Sequence, residues 1–211
     1  MKQATAKFLT ILALTLCMTA PPVRAGDNGL YASAPPPGSA FVRFISAEGG
    51  RLKGNVRGKD FPAVTPGQVG PYAAVSPGDA AISLGQTSVN YDLKSGHRYI
   101  AALIRGKLTV LEEPENSNKL KTQIILLNLS SKKDVSLKTL DGSVSVISSV
   151  ESGKLSARPV NAIKTGFAIY AGDTKISSLA EKSLERGTGY TVVVYDGANG
   201  PAVSFDQATG S

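Results

Sequence analysis

A chain of 211 residues with 23 Lys and Arg against 16 Asp and Glu carries a formal charge of +7. One Cys, one His, no Trp and an aromatic content of 6% leave no thiolate metal centre and no disulfide framework. They also argue against a sugar-cleaving cleft, which usually relies on aromatic platforms.

The chain opens with Lys2 and Lys7, an apolar run over 8–20, and Val23-Arg24-Ala25 before Gly26. This is the layout of a secretory signal peptide over 1–25, with an apolar run too short to span a bilayer. Its removal takes three basic residues and no acid, so 20 basic residues face 16 acidic ones and the charge falls to +4, a surplus compatible with an anionic polymer or an acidic partner but too weak to imply nucleic acid. The only thiol, Cys17, leaves with it, and Leu16 before it is unsuited to lipoprotein processing. Periplasmic export is the resulting expectation.

Residues 26–39, ending in Pro35-Pro36-Pro37-Gly38, predict an extended arm. Short apolar runs bounded by turn residues then predict strands over 41–45, 72–75, 80–84, 99–104 and 108–111, with a tight hairpin at Arg105-Gly106. A polar stretch over 112–118, with Glu112, Glu113, Glu115 and Pro114, reads as solvated charge around a linker at 114–118. Strands resume over 124–127, 135–137, 144–147, 167–170, 190–195 and 203–205, and only 178–184 has the composition for a helical turn.

Two stretches match residue for residue: Leu93, Gly96, Tyr99 and Leu103, then Leu184, Gly187, Tyr190 and Val194. A Leu-x-x-Gly turn followed by Tyr and an apolar strand closes each half, which makes the halves copies of one β unit. The opening strands, 41–46 and 124–130, correspond as well. The expected fold is all-β: two tandem antiparallel β-sandwich domains, 40–113 and 119–211, joined by the short linker. Both repeated tyrosines are expected to support the sandwiches, not to bind ligands.

Chemistry-bearing constellations are sparse. His97 is the only side chain naturally poised near neutral pH, and Thr188 holds its place in the second copy, which favours an ordinary turn histidine over a catalytic base. No Gly-x-Ser-x-Gly elbow occurs, and Pro77-Gly78-Asp79 is followed by Ala80 where a nucleophile motif would place serine. The expectation is therefore no catalytic residue, no metal and no cofactor. Arg51, Lys53, Arg57 and Lys59 punctuate a Gly-containing segment, and residues an even number apart on a strand share a face. Together they form a candidate surface for an anionic polysaccharide; as solvated edge-strand charge they would discourage aggregation instead.

At the junction of arm and first strand stand Leu30-Tyr31 and then Pro37-Gly38-Ser39-Ala40-Phe41-Val42-Arg43. This arrangement resembles the AlgF-type family of periplasmic alginate O-acetylation proteins. The resemblance implies an accessory without catalytic residues of its own, working with a membrane-bound O-acyltransferase and periplasmic SGNH-type acetyltransferases on mannuronate of alginate. It makes Leu30, Tyr31, Phe41 and Arg43 candidate partner-binding residues. The competing expectations are a periplasmic module that grips an anionic polysaccharide directly, and the equivalent accessory of cellulose acetylation.

Overall fold

The computed structural model describes residues 34–209. The expected signal peptide, most of the arm, and Leu30 and Tyr31 lie outside the described residues. From 34 onward the chain forms a single compact unit built from strands.

The first half contributes β1 (Ala40–Ser46), β2 (Gly54–Val56), β3 (Lys59–Asp60), β4 (Ala73–Val75), β5 (Gly78–Leu84), β6 (Thr87–Leu93), β7 (Arg98–Ile104) and β8 (Lys107–Glu112). The second contributes β9 (Lys121–Asn128), β10 (Asp134–Thr139), β11 (Ser145–Glu151), β12 (Lys154–Asn161), β13 (Lys164–Ala171), β14 (Thr174–Ser183), β15 (Gly189–Gly197) and β16 (Gly200–Gln207). In the first half the sheets run β4-β1-β7-β8 and β3-β2-β5-β6; in the second, β12-β9-β15-β16 and β11-β10-β13-β14. Advancing each strand number by eight turns one topology into the other.

The repeated turns are held identically. Gly96 N–H donates to Ser39 O and Phe41 N–H to His97 O; in the second half Gly187 N–H donates to Lys121 O and Gln123 N–H to Thr188 O. These bonds align Val42 with Ile124, and each pairs in register with its half's tyrosine, Tyr99 or Tyr190. Both tyrosines are fully buried, as their repetition predicts.

Three features depart from the sequence expectations. The pairs β1–β7 and β9–β15 are parallel within otherwise antiparallel sheets. Residues 174–183 form the ten-residue strand β14, not a helical turn: β14 pairs with β13 and buries Leu179. Finally, the halves do not stand apart on a linker. Each sandwich has its own core, Val42, Phe44, Ile82 and Tyr99 in one and Ile124, Leu126, Ile169 and Tyr190 in the other. A third core lies between them: Ile45, Ile100, Ala102 and Ile104 from the first half pack with Leu127, Leu129 and Val193 from the second.

The third core follows from strand geometry. Side chains alternate across a strand, so Val42 and Phe44 point into the first sandwich while Arg43 and Ile45 point outward. The outward faces of β1, β7, β9 and β15 meet, and these strands are buried on both sides. Strands buried on both faces read as continuous apolar runs instead of alternating ones, as Ile124-Ile125-Leu126-Leu127 and Val192-Val193-Val194 do.

Candidate functional site

Arg43 stands on the outward face of β1, at the register position that Ile125 occupies in the second half, and is fully buried between the halves. Its Nε donates to Glu113 Oε1 at 2.9 Å and its Nη2 to Thr191 Oγ1 of β15 at 2.8 Å. Tyr72 O–H donates to the other Glu113 oxygen, and the Arg43 guanidinium lies 4.4 Å from the Tyr72 ring centroid. Burial pushes the Tyr72 hydroxyl well above its usual range, so the phenol stays a donor. Arg43 Nη1 has no hydrogen-bond partner; the Tyr72 π face supplies part of the compensation its charge needs. Arg43 is thus a clasp between halves and not the exposed partner contact suggested by its place in the sequence. Glu113, expected as solvated linker charge, is the buried counter-ion of that clasp.

Around the clasp other contacts join the halves. Tyr72 N–H donates to Thr209 O, Ser204 Oγ donates to Gly67 O at 2.6 Å, and Arg105 Nη2 donates to Ser152 Oγ at 2.9 Å. The Tyr195 ring lies so close over Gly67 that a Cβ there would clash with it.

At one end of this joint a polar groove of about 520 Å³ opens between the two repeated turns. Ser95, Gly96 and His97 form one wall, Gly187 and Thr188 the other, and the 112–119 connection runs between them. His97 Nδ1 lies 2.7 Å from Glu112 Oε1, with Lys94 Nζ 3.6 Å from Oε2. The hydrogen bond from His97 holds the Glu112 carboxyl below its ordinary range, and Lys94 adds to that effect. Half-buried Phe41 also lines the groove, its ring 5.8 Å from the Arg98 guanidinium, so of the predicted entry residues it alone among those described faces an accessible surface. No Ser or Thr hydroxyl is hydrogen-bonded to the His97 ring among the described residues. No cluster of three or more His, Asp or Glu with metal-holding geometry occurs among them either.

The basic segment does not present one charged face. Arg57-Gly58 is the two-residue turn joining β2 to β3, with positive φ of 49° and 85° as such hairpins require. The Arg57 guanidinium donates to the backbone carbonyls of Asp79 and Pro77, and Lys59 Nζ donates to Ala74 O at 2.8 Å. Lys53 pairs with Asp60 at 2.6 Å. Only Arg51, exposed ahead of β2, has no ion pair or side-chain hydrogen bond among the described residues, so the even spacing misleads because the segment is folded back on itself.

Tyr72 and Thr191 are the site residues that sequence reading misses. Neither belongs to a motif; Thr191 sits in the run Thr191-Val192-Val193-Val194, where a lone hydroxyl on the outward face is the one available sign.

A sequence profile of the family described as Alginate O-acetyl transferase AlgF matches residues 13–191. The alginate biosynthesis protein AlgF of Pseudomonas syringae pv. tomato is 33% identical over 194 residues, covering 92% of this chain and 86% of that protein. AlgF of Pseudomonas aeruginosa is 31% identical over 176 residues, covering 83% and 81% respectively. A solved structure of the C-terminal domain of AlgF from P. aeruginosa is 28% identical and covers 42% of this chain and 99% of that one, with a TM-score of 0.39. With the profile running through both sandwiches to the Tyr190 strand, the chain belongs to the AlgF family of alginate biosynthesis proteins.

Proposed function

We propose that this protein is a non-catalytic periplasmic accessory in exopolysaccharide O-acetylation, serving the transfer of acetyl groups to mannuronate of alginate. Its partners are a membrane-bound O-acyltransferase and a periplasmic acetyltransferase of the same system. The observation that carries this reading is the family match over 13–191. The architecture supports it: two sandwiches joined through a buried core offer a body of fixed shape, which holds partners at a set separation and raises their effective concentration.

Direct binding of the polysaccharide at Arg51, Lys53, Arg57 and Lys59 is the weaker reading, since three of those four side chains are already engaged. The purified protein should release no acetate from ester substrates, and it should co-purify with the acetyltransferase encoded alongside it. In cells lacking the native gene, the His97→Ala protein should restore acetylation to the level of the unaltered one. Acetate release that His97→Ala abolishes would overturn the accessory reading, and so would failure to associate with any acetylation component.

A further inference from the structure

The two sandwiches differ in what they leave uncovered. Among the described residues the large exposed apolar side chains are Leu120, Leu140, Val144 and Ile163, all in the second half. One of them, Val144, stands at a recess of about 240 Å³ and lines it together with Lys121 and Asn161. Leu120 immediately precedes Lys121, and Ile163 N–H donates to Asn161 O. Val144 is 55% exposed at the recess, and Leu120 and Ile163, 72% and 58% exposed, stand next to its lining segments in the chain.

The recess lies on a seam. β11 is the edge of one sheet and β12 the edge of the other, and the chain crosses between them at Ser152-Gly153. Val146 and Val160 line the recess and also pack against the core of the second sandwich, so its floor is apolar. Its rim is cationic: Lys121 and Arg158 line it and no carboxylate does. Arg158 Nη1 donates to Ser145 O and Val146 O at 3.1 and 3.0 Å, tying the two edges together and fixing its charge beside the opening. In the first half the corresponding edges, β3 and β4, are bridged by Lys59 on Ala74 O, and no large apolar side chain stands exposed there.

Size and charge together select the occupant. Small-molecule sites commonly enclose roughly 300–1,000 Å³, and this recess is smaller, with room for about one large aliphatic or aromatic side chain. An apolar floor beside two cations, of which Arg158 is held in place, matches an apolar residue flanked by carboxylates, which would gain charge-assisted bonds at the rim. From the apolar seam, the exposed Val144 side chain and the cationic rim we infer that the β11–β12 recess is a docking site for an extended, acidic segment of a partner protein, which inserts one apolar side chain beside Val144. The accessory reading bears on which protein carries that segment, not on the surface itself.

The test uses the soluble chain lacking residues 1–25, isotope-labelled and titrated at millimolar concentration with three synthetic peptides. One has a central Leu flanked by Asp and Glu, one replaces that Leu with Ala, and one keeps the Leu between lysines. The acidic Leu peptide should shift the amide resonances of Val144, Val146, Arg158 and Val160, with at least tenfold weaker binding for the other two. Val144→Lys, at an exposed site, and Lys121→Glu should each weaken it at least tenfold without altering the rest of the spectrum. Equal response to all three peptides, no shifts, or shifts confined to other surfaces would overturn the assignment. So would phosphatidylglycerol vesicles that bind the chain through Val144 while the acidic peptide does not, since the patch would then be a membrane face. Acetylation is not read in these measurements, so failure here is distinguishable from failure of the accessory reading.

Discussion

Arg43 and Ile125 hold the same place in two copies of one sheet, and the contrast between them shows how a duplicated fold becomes a single body. In the second half an aliphatic side chain fills the position. In the first, a guanidinium reaches across to Thr191 and takes Glu113 as counter-ion. An apolar joint would hold the halves together but discriminate poorly between ways of docking them. The clasp adds direction, because its bonds form only when Glu113, Tyr72 and Thr191 all converge on one guanidinium. At the surface both seams are bridged by a cation, Lys59 in the first half and Arg158 in the second, but only the second leaves a large apolar side chain, Val144, exposed beside it.

The comparison is broken most severely by removing Arg43. Arg43→Ala leaves the Glu113 carboxylate buried without its counter-ion, and stripping one partner from a buried pair costs roughly 3–5 kcal/mol, which urea unfolding would read. Converting the clasp toward the second half's chemistry should cost far less: Arg43→Met with Glu113→Gln removes both charges and keeps an acceptor for Tyr72. A double variant as unstable as Arg43→Ala would show that the ion pair is not what the joint depends on.

Gly67→Ala comes next. Its φ of +73° and the Tyr195 ring overhead leave no place for a methyl group, so this position at the joint should tolerate no side chain. A loss of about 1–3 kcal/mol is expected, as for overpacking elsewhere. Tyr195 packs against the joint and its removal has a cost of its own, so the comparison is made within that background: in Tyr195→Ala, Gly67→Ala should cost less than in the unaltered protein, only the backbone penalty remaining. No loss in Gly67→Ala would mean that the halves are not in contact there.

The repeated tyrosines give a smaller contrast. Tyr99 Oη accepts from Lys94 N–H at 2.9 Å, whereas Tyr190 O–H donates to Ser183 O at 3.4 Å. Tyr99→Phe should cost about 1 kcal/mol, and Tyr190→Phe measurably less because its bond is long. Equal losses would remove this distinction between the copies.

The smallest effect is the pH dependence that His97 lends the first half through Glu112, since Thr188 replaces His97 in the second. With its carboxyl held below the ordinary value of 4.5, Glu112 lends stability above that value, which fades as pH falls through the lowered one. His97→Ala should return the Glu112 titration, followed by carboxyl resonances, toward 4.5 and flatten the acid-side fall in melting temperature. Asp141, held at about 2 by the hydroxyls of Thr139 and Ser143, should titrate unchanged in that variant and serves as the internal control.

The all-β class, the duplication and most strands are legible in the sequence because turn residues and the doubled Leu-x-x-Gly-x-x-Tyr report local geometry. Strands such as β12, with Arg158 and Pro159, and β14, with five Ser and Lys residues, are harder to recognise, because edge positions are free to be polar. The joint was within reach: Ile125 and Val193 interrupt the alternation that a one-sided strand would show, and that is the mark of a second buried face. Glu113 was not. Glu112, Glu113 and Glu115 look alike in the chain, and only Arg43, 70 residues away in sequence, makes one of them a core residue.

That the two sandwiches move as one body is tested most directly by backbone ¹⁵N relaxation on the chain lacking residues 1–25, with rotational correlation times obtained separately for β1–β8 and β9–β16. The packed joint predicts one common value, that of the whole unit, and in Arg43→Ala a divergence between the halves. Two distinct, shorter values in the unaltered protein would contradict it and return the 112–119 connection to the status of a flexible linker.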